Sequence, residues 1–291
     1  MSFSKDKRII SLPKNKFPKP ILEIPKPPEQ LFIVGELPPE DSIHLCVVGA
    51  RKYSPYGKEV CEMLIAGLRG KPVVIVSGLA LGIDAIAHRS ALANNLKTIA
   101  VPGSGLDPSA LYPASHKNLA KEIVEAGGCL LSEFDPTFKA TPYSFPQRNR
   151  IMAGLSKAVL IIEAEQKSGT LITARLATDY NRDVLTVPGS IYSQNSTGPH
   201  LLLKLGATPI ASVEDLLIAL GLEGQSTLPF EKQYADANED ELTLLCLLAT
   251  PCTRDSLVRA SGFPTQKVSI LLSMMEIKGM IKESEGEIRL M

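Results

Sequence analysis

Cysteine and histidine are scarce in this sequence, and tryptophan is absent. The 291 residues include five cysteines and four histidines, and they form no cluster and no C-x-x-C pair. A zinc site brings about four such ligands together, so the sequence predicts no metal. Isolated cysteines beside apolar residues are typical of reduced thiols in a cytosolic protein.

Long apolar runs and an excess of one charge are also missing. No segment has the uninterrupted apolar length that a membrane helix needs, and the N-terminus, MSFSKDKRII, lacks an apolar signal core. We therefore expect a cytoplasmic protein with no membrane partner. Lys and Arg total 31, as do Asp and Glu. This balance excludes an unselective polycation but leaves nucleic-acid binding open, because the local distribution of charge decides it.

Proline, by contrast, is concentrated near the N-terminus, in residues 13–39. It removes backbone donors and interrupts helices. Residues 1–39 are therefore interpreted as a Pro-rich N-terminal arm, either laid on the next domain or acting as a linker. Within the arm, residues 31–34 are expected to add an edge strand.

Short apolar runs alternate with amphipathic stretches through residues 40–222. The runs are apolar on both faces, as buried parallel strands are, and they cover residues 45–48, 73–76, 98–101, 129–134, 158–162 and 184–187. Helices are predicted between them at 56–68, 84–94, 115–126 and 170–180. The alternation predicts an α/β fold, an extended Rossmann-like, doubly wound and mostly parallel sheet. Ligands bind such sheets beyond the carboxyl ends of the strands.

The pattern changes after residue 222. Residues 223–240, which include an acidic run at 238–240, are predicted to form a linker. Residues 241–291 contain an apolar helix, a second helix at 255–260 capped by Thr253, a third at 265–278 and a hairpin at 280–288. Three helices and a hairpin are the layout of a small C-terminal winged-helix domain.

Glycines follow the first three predicted strands. Exposed backbone N–H groups of such loops form anion-binding nests, and an arginine beside a helix N-terminus suits a phosphate. The order is not G-x-G-x-x-G, so a dinucleotide site is disfavoured and no cofactor is predicted. Asp84 is interpreted as the N-cap of the next helix. The candidate ligand-binding residues of these loops are Gly49, Arg51, Ser54, Gly78, Gly82 and Gly103.

A fourth loop, residues 143–150, combines aromatic residues with arginines, although the stretch also fits a helix start with solvated arginines. Aromatic rings stack on unpaired bases, and arginines pair with phosphates. The candidate DNA-binding residues of this loop are Phe145, Arg148, Asn149 and Arg150.

A fifth loop contains Ser168, Gly169 and Thr170, which can cap a helix or bind an anion. Because the loops after parallel strands emerge on one side of the sheet, the three arginines at positions 51, 148 and 150 are predicted to converge on one pocket. They are also predicted to lie at its rim, where their removal would spare the fold.

These motifs resemble the DNA-processing protein A (Smf) family in order and spacing. The matching stretches are residues 49–57, GLALGID at 78–84, FPQRNR at 145–150, GLS at 154–156, SGT at 168–170 and VPG at 187–189. Many members carry a further N-terminal helical domain, and the early start of the Pro-rich arm predicts its absence here. The resemblance implies a non-enzyme that binds single-stranded DNA in a basic pocket, forms a homodimer and loads the RecA recombinase in natural transformation. It also implies that Arg51, Arg148 and Arg150 line that pocket.

One alternative is an enzyme, a nucleotide phosphoribohydrolase of the same Rossmann-like superfamily. Such enzymes carry an essential glutamate after a glycine-rich loop, whereas the position three past Thr170 is Thr173. General acid–base work on a glycosidic bond then lacks its obvious agent. Glu163, which precedes the loop, is a remote substitute.

A second alternative is a transcription regulator built on the winged helix. A reader of duplex DNA carries a basic face, but acidic side chains slightly outnumber basic ones in residues 240–291. The third helix of this domain is mostly apolar, so a protein contact is the preferred interpretation.

Overall fold

The chain divides into two compact units, Met1–Leu222 and Glu223–Met291. The computed structural model describes residues 8–222, 237–248, 252–284 and 287–290. Among them, no helix is long and apolar enough to cross a membrane.

The first unit is built on a sheet that has nine strands among the described residues. In chain order the strands are β1 (Ile10–Leu12), β2 (Leu31–Gly35), β3 (Ile43–Val48), β4 (Val73–Ser77), β5 (Thr98–Ala100), β6 (Cys129–Ser132), β7 (Ala158–Ile161), β8 (Asp183–Thr186) and β9 (Thr208–Pro209). Their order in the sheet is β1-β2-β6-β5-β4-β3-β7-β8-β9. From β6 to β9 all neighbours are parallel. Strands β4, β6 and β7 are buried throughout, which explains their apolar residues at every position.

Helices cover both faces of this sheet. They are α1 (Lys19–Leu22), α2 (Pro55–Ala66), α3 (Ile83–Ala93), α4 (Lys117–Glu125), α5 (Ser144–Leu155), α6 (Gly169–Asp179), α7 (Thr197–Lys204) and α8 (Val213–Ala219). Leu64, Ile86 and Leu216 place α2, α3 and α8 in one hydrophobic core. Ile151 and Ala174 place α5 and α6 in another. The doubly wound, mostly parallel α/β fold is thus confirmed.

The order of the strands creates a switch point in the sheet. The chain runs outward from β3 through β4 and β5 to β6, and then returns to place β7 on the other side of β3. Loops that follow β3 and β7 diverge at this point, which leaves a crevice beyond the carboxyl ends of the two strands. Ligands of doubly wound sheets bind in such crevices.

The N-terminal arm is laid on the first unit. Phe17, Ile21 and Leu31 are buried in the same core as α5 and α6. The prediction of a strand at residues 31–34 is confirmed, but its position at the edge is wrong. Strand β2 is not at the edge because β1 pairs with its outer side. It lies between β1 and β6 and is antiparallel to both.

The second unit contains three helices and a two-stranded sheet among its described residues. These are α9 (Glu239–Leu247), α10 (Arg254–Ser261), α11 (Thr265–Ile277), β10 (Ile281–Ser284) and β11 (Glu287–Leu290). They pack around a core that includes Leu245, Leu257, Leu272 and Ile288. This arrangement is the predicted winged-helix layout. The predicted hairpin turn at residues 285–286 lies outside the described residues.

The predicted linker, residues 223–240, extends too far. Residues 223–236 lie outside the described part of the chain, but Asn238 is the N-cap of α9, and its side chain accepts a hydrogen bond from the Glu241 backbone. The Glu241 carboxylate in turn accepts from the Asn238 backbone N–H. The acidic run 238–240 therefore begins a helix, where negative charge favours the helix dipole.

Candidate nucleic-acid interface

A cleft of about 440 Å³ lies at the switch point between β3 and β7. Its walls come from the loop after β3, the first turns of α5 and α6, and the loop after β4. Eight of the predicted site residues line it: Gly49, Arg51, Phe145, Arg148, Asn149, Ser168, Gly169 and Thr170. The other five predicted residues, Ser54, Gly78, Gly82, Gly103 and Arg150, do not.

The glycines of the rim owe their position to close packing. A Cβ on Gly49 would strike Ile83, and a Cβ on Gly103 would strike the Phe145 ring. Gly82 has a φ of 86° and lies against the backbone of residues 50 and 51. Only glycine adopts that φ without strain while tolerating such an approach. Gly78, Gly82 and Gly103 thus shape the loops that bound the cleft without lining it.

Ser54 caps a helix instead of facing the cleft. Its hydroxyl accepts a hydrogen bond from the Gly57 backbone at 3.1 Å and donates one to the buried Glu163 carboxylate at 2.5 Å. Glu163 also accepts bonds from the Ser54 backbone and from Asn195, at 2.9 and 3.2 Å. The carboxylate is saturated by these donors, so it ties the loops after β3, β7 and β8 together.

The floor of the cleft contains two buried side chains of opposite charge, Arg148 and Asp84. Arg148 is 5% exposed and Asp84 is 6% exposed. The Arg148 guanidinium donates to the Gly78 carbonyl at 2.5 Å and also to the Val101 carbonyl. Burial raises the pKa of Asp84, while the positive charge of Arg148 and backbone N–H groups oppose that rise. Burial likewise lowers the pKa of Arg148, and Asp84 opposes this.

Asp84 is not the N-cap that the sequence predicted. The N-cap of α3 is Gly82, and Asp84 lies inside the first turn of the helix. Its carboxylate reaches back to accept a hydrogen bond from the Gly78 N–H at 3.1 Å. The side chain is therefore turned back toward the loop after β4 and is buried there.

The prediction that three arginines converge on one pocket is wrong for Arg150. Residues 144–155 form helix α5, the alternative to the favoured loop, and two residues along a helix differ by about 200° in direction. Arg148 therefore faces the cleft, while Arg150 faces away. Arg150 pairs with Glu133 and donates to the Lys26 carbonyl at 2.5 Å. It fastens the N-terminal arm to α5.

Cationic and aromatic groups meet at the mouth of the cleft. The exposed Arg51 guanidinium lies 5.5 Å from the centre of the Phe145 ring. Asn149 closes the gap between α5 and α6 through a long hydrogen bond of 3.4 Å to the Gly169 carbonyl. Ser168 caps α6 by accepting from the Thr170 N–H at 3.2 Å, and Gly169 is exposed. A helix N-terminus of this kind favours an anion.

Further residues that line the cleft were outside the predicted set, among them Lys52, Glu165 and Ile172. Lys52 and Glu165 lie in loops that the sequence had already marked, and both are exposed. Because they lie close in sequence to the predicted residues Arg51 and Ser168, they could have been predicted to line the same cleft. Ile172 carries no such signal, because an apolar residue three positions into a helix is ordinarily part of a core.

Fold and cleft together define a Rossmann-like α/β protein with a cationic, aromatic-lined site at its switch point, joined to a winged-helix unit. Residues 8–221 match the family DNA recombination-mediator protein A, and residues 229–287 match the DprA winged helix domain. The chain belongs to this DprA/Smf family.

Named relatives cover most of the chain. It is 38% identical to Protein Smf of Escherichia coli K12 over 279 residues, which span 93% of this chain and 74% of that protein. It is 42% identical to DNA processing protein DprA of Streptococcus pneumoniae R6 over 201 residues, 69% of this chain and 70% of that protein.

Two solved structures share the fold at substantial identity. DprA from Streptococcus pneumoniae has a TM-score of 0.67 and 39% identity, covering 74% of this chain and 75% of its own. DNA processing protein A from Helicobacter pylori has a TM-score of 0.65 and 31% identity, covering 74% of this chain and 97% of its own. The second is described for its unique single-stranded DNA binding mode.

Proposed function

We propose that this protein binds single-stranded DNA in the cleft and, as a recombination mediator, loads the RecA recombinase onto that DNA in natural transformation. Membership of the recombination-mediator family supports the role. The reported single-stranded DNA binding of the Helicobacter pylori relative supports the ligand.

The observation that carries the proposal is the pairing of Arg51 with Phe145 at the mouth of the cleft. Arg51 and the N-terminus of α6 offer two sites for phosphate oxygens, and the Phe145 ring offers a face to an unpaired base. A base inside a duplex is stacked on both faces by its neighbours and offers no face to such a ring. The floor adds little attraction, because Asp84 offsets the charge of Arg148.

Fluorescence anisotropy with a labelled oligothymidylate and a duplex of the same length tests the ligand. We expect tight binding of the single strand and weak binding of the duplex at matched salt, because the cleft needs unstacked bases. Equal affinity for the two forms would sink the proposal.

RecA loading is tested with single-stranded DNA that is already covered by a single-strand-binding protein. Adding the full chain should increase DNA-dependent ATP hydrolysis by RecA, since a mediator helps RecA to replace the single-strand-binding protein on the DNA. The Arg51→Ala variant should give less stimulation at equal concentration. No stimulation by a chain that binds the strand normally would limit the protein to DNA binding.

We further propose that the protein acts without catalysis, as a cytoplasmic homodimer. Glu163, the carboxylate that the sequence offers to the enzyme alternative, is held by Ser54 and Asn195 and does not line the cleft. Incubation with nucleoside monophosphates should therefore release no free base. Release at a rate proportional to protein would restore the phosphoribohydrolase alternative.

A further inference from the structure

A second aromatic surface continues beyond Phe145, on the side away from the cleft. The Tyr112 ring centre lies 5.6 Å from that of Phe145, with the two planes tilted by 54°. Arg51, Phe145 and Tyr112 therefore form an unbroken row. The row borders a shallow hollow whose lining also includes Gly78, Ala80 and Leu81. Arg51, Ala80 and Phe145 line both the cleft and this hollow, so the two sites are continuous.

The hollow presents apolar side chains to solvent. Tyr112 is 47% exposed and Leu81 is 49% exposed. Most large apolar side chains of the first unit lie in its cores, and two neighbouring exposed ones at a functional edge mark an interaction surface. The Tyr112 backbone N–H donates to the Ser104 hydroxyl at 3.1 Å, which helps to fix the ring in place.

Resting on the proposed function, we infer that this hollow is a second base-binding subsite, in which Tyr112 stacks on the nucleotide next to the one held by Phe145. A flat aromatic face beside an aliphatic side chain suits a base of any sequence, since every base has a π-face. Arg51 lines both the cleft and the hollow, so its guanidinium can hold a phosphate of a strand that occupies the two subsites. Apart from Arg51, the side chains that line the hollow carry no charge.

Affinity variants test the stacking role. Tyr112→Ala should weaken binding of a short oligothymidylate about fivefold or more, the range for loss of one base–aromatic stack. Tyr112→Phe should bind like the wild type, because the ring and not the hydroxyl makes the contact.

An abasic scan tests the position. Removing single bases from the oligonucleotide should weaken binding by the wild type at one position that Tyr112→Ala no longer senses. A Tyr112→Ala variant whose abasic profile matches that of the wild type would overturn the inference. Failure of the wild type to bind the strand at all would instead overturn the proposed function.

A fluorescence measurement gives an independent readout. The natural chain has no tryptophan, so Tyr112→Trp introduces a single reporter in the hollow. Adding oligothymidylate should quench its emission, because a stacked base contacts the indole. Leu22→Trp is the matched control, since Leu22 is 48% exposed on α1, outside the cleft and the hollow. Equal quenching of both variants, or of neither, would contradict the second subsite.

Discussion

Two arginines of one cleft perform different physical work. Arg51 is exposed and stands over an aromatic ring, so its charge is available to a ligand. Arg148 is buried, and its Nη1 and Nε atoms donate to two backbone carbonyls and to Asn149. The sequence motifs predict that both arginines contact a ligand. Their burial indicates that Arg51 is available to a ligand, whereas Arg148 stabilises the fold.

Arg148→Ala should destabilise the fold. The substitution removes the donor of two buried carbonyls and the positive charge that opposes the desolvation of Asp84, which together cost about 3–5 kcal/mol. Chemical denaturation monitored by circular dichroism measures this loss. Arg51→Ala is the control and should change the free energy of unfolding by less than about 0.5 kcal/mol. The prediction from sequence that both arginines lie at the rim would be restored if Arg148→Ala unfolded like the wild type.

Glu165→Gln should strengthen DNA binding. Glu165 is exposed and lines the cleft, where its negative charge repels a phosphate. Removing a solvent-screened repulsion of about 0.2–1 kcal/mol improves affinity by up to about fivefold. Anisotropy at low salt checks this, with Glu122→Gln, an exposed acid of α4, as the control. Weaker binding by Glu165→Gln would mean that the carboxylate contacts the ligand favourably.

At the scale of elements, the buried strands were the most predictable part of the fold. Each run that is apolar on both faces forms a parallel strand. A strand between two layers of helices is buried on both faces, so apolar residues are favoured at every position. The N-cap Thr253 and its helix are likewise confirmed, since Thr253 accepts from the Ser256 N–H. Local patterns carry this information.

A helix start at α5 was the less favoured interpretation for an equally physical reason. Pro146 and a run of polar residues indicate a loop, but proline is tolerated in a first turn, where N–H groups have no helical partner. The polar residues face Gly78, Val101 and Glu133 of other elements, which are distant in sequence. The directions of Arg148 and Arg150, and hence the composition of the site, follow from that helix.

The docking of α3 on the sheet should depend on pH. Buried His88 lies 2.8 Å from the Thr98 hydroxyl, and Thr98 donates its own proton to the Ile75 carbonyl. The imidazole therefore donates from Nδ1. Burial lowers the pKa of His88 from 6.5 to about 3. Below pH 6.5 this histidine is protonated in the unfolded chain but stays neutral in the folded chain. The free energy of unfolding is therefore highest above pH 6.5 and decreases as the pH falls below it.

His88→Asn should remove this dependence. Asparagine can keep a donor toward Thr98 but has no proton to gain. Between pH 6.5 and pH 5 the wild type should lose about 1.6 kcal/mol more unfolding free energy than the variant, because the slope rises toward about 1.4 kcal/mol per pH unit over this range. Parallel profiles in urea titrations at the two pH values would contradict the assignment.

The whole molecule is expected to be a homodimer. Leu205 on the end of α7 is 74% exposed and Ile218 on α8 is 53% exposed, which leaves apolar surface at the β9 side of the sheet. Light scattering at micromolar concentration should give twice the chain mass of 31.4 kDa. Leu205→Glu should give the monomer mass, whereas Leu22→Glu should remain a dimer. A wild-type mass of one chain would contradict the expectation.

The salt dependence of single-stranded DNA affinity tests the central claim most directly. Arg51→Ala should weaken binding and lower the slope of log affinity against log salt by about 0.7, the value for one phosphate contact on a single strand. Arg69→Ala removes the same charge from an exposed position beyond the end of α2, outside the cleft, and should leave slope and affinity unchanged. If Arg51→Ala keeps the wild-type slope, or if Arg69→Ala loses as much, the DNA backbone is held elsewhere on the protein.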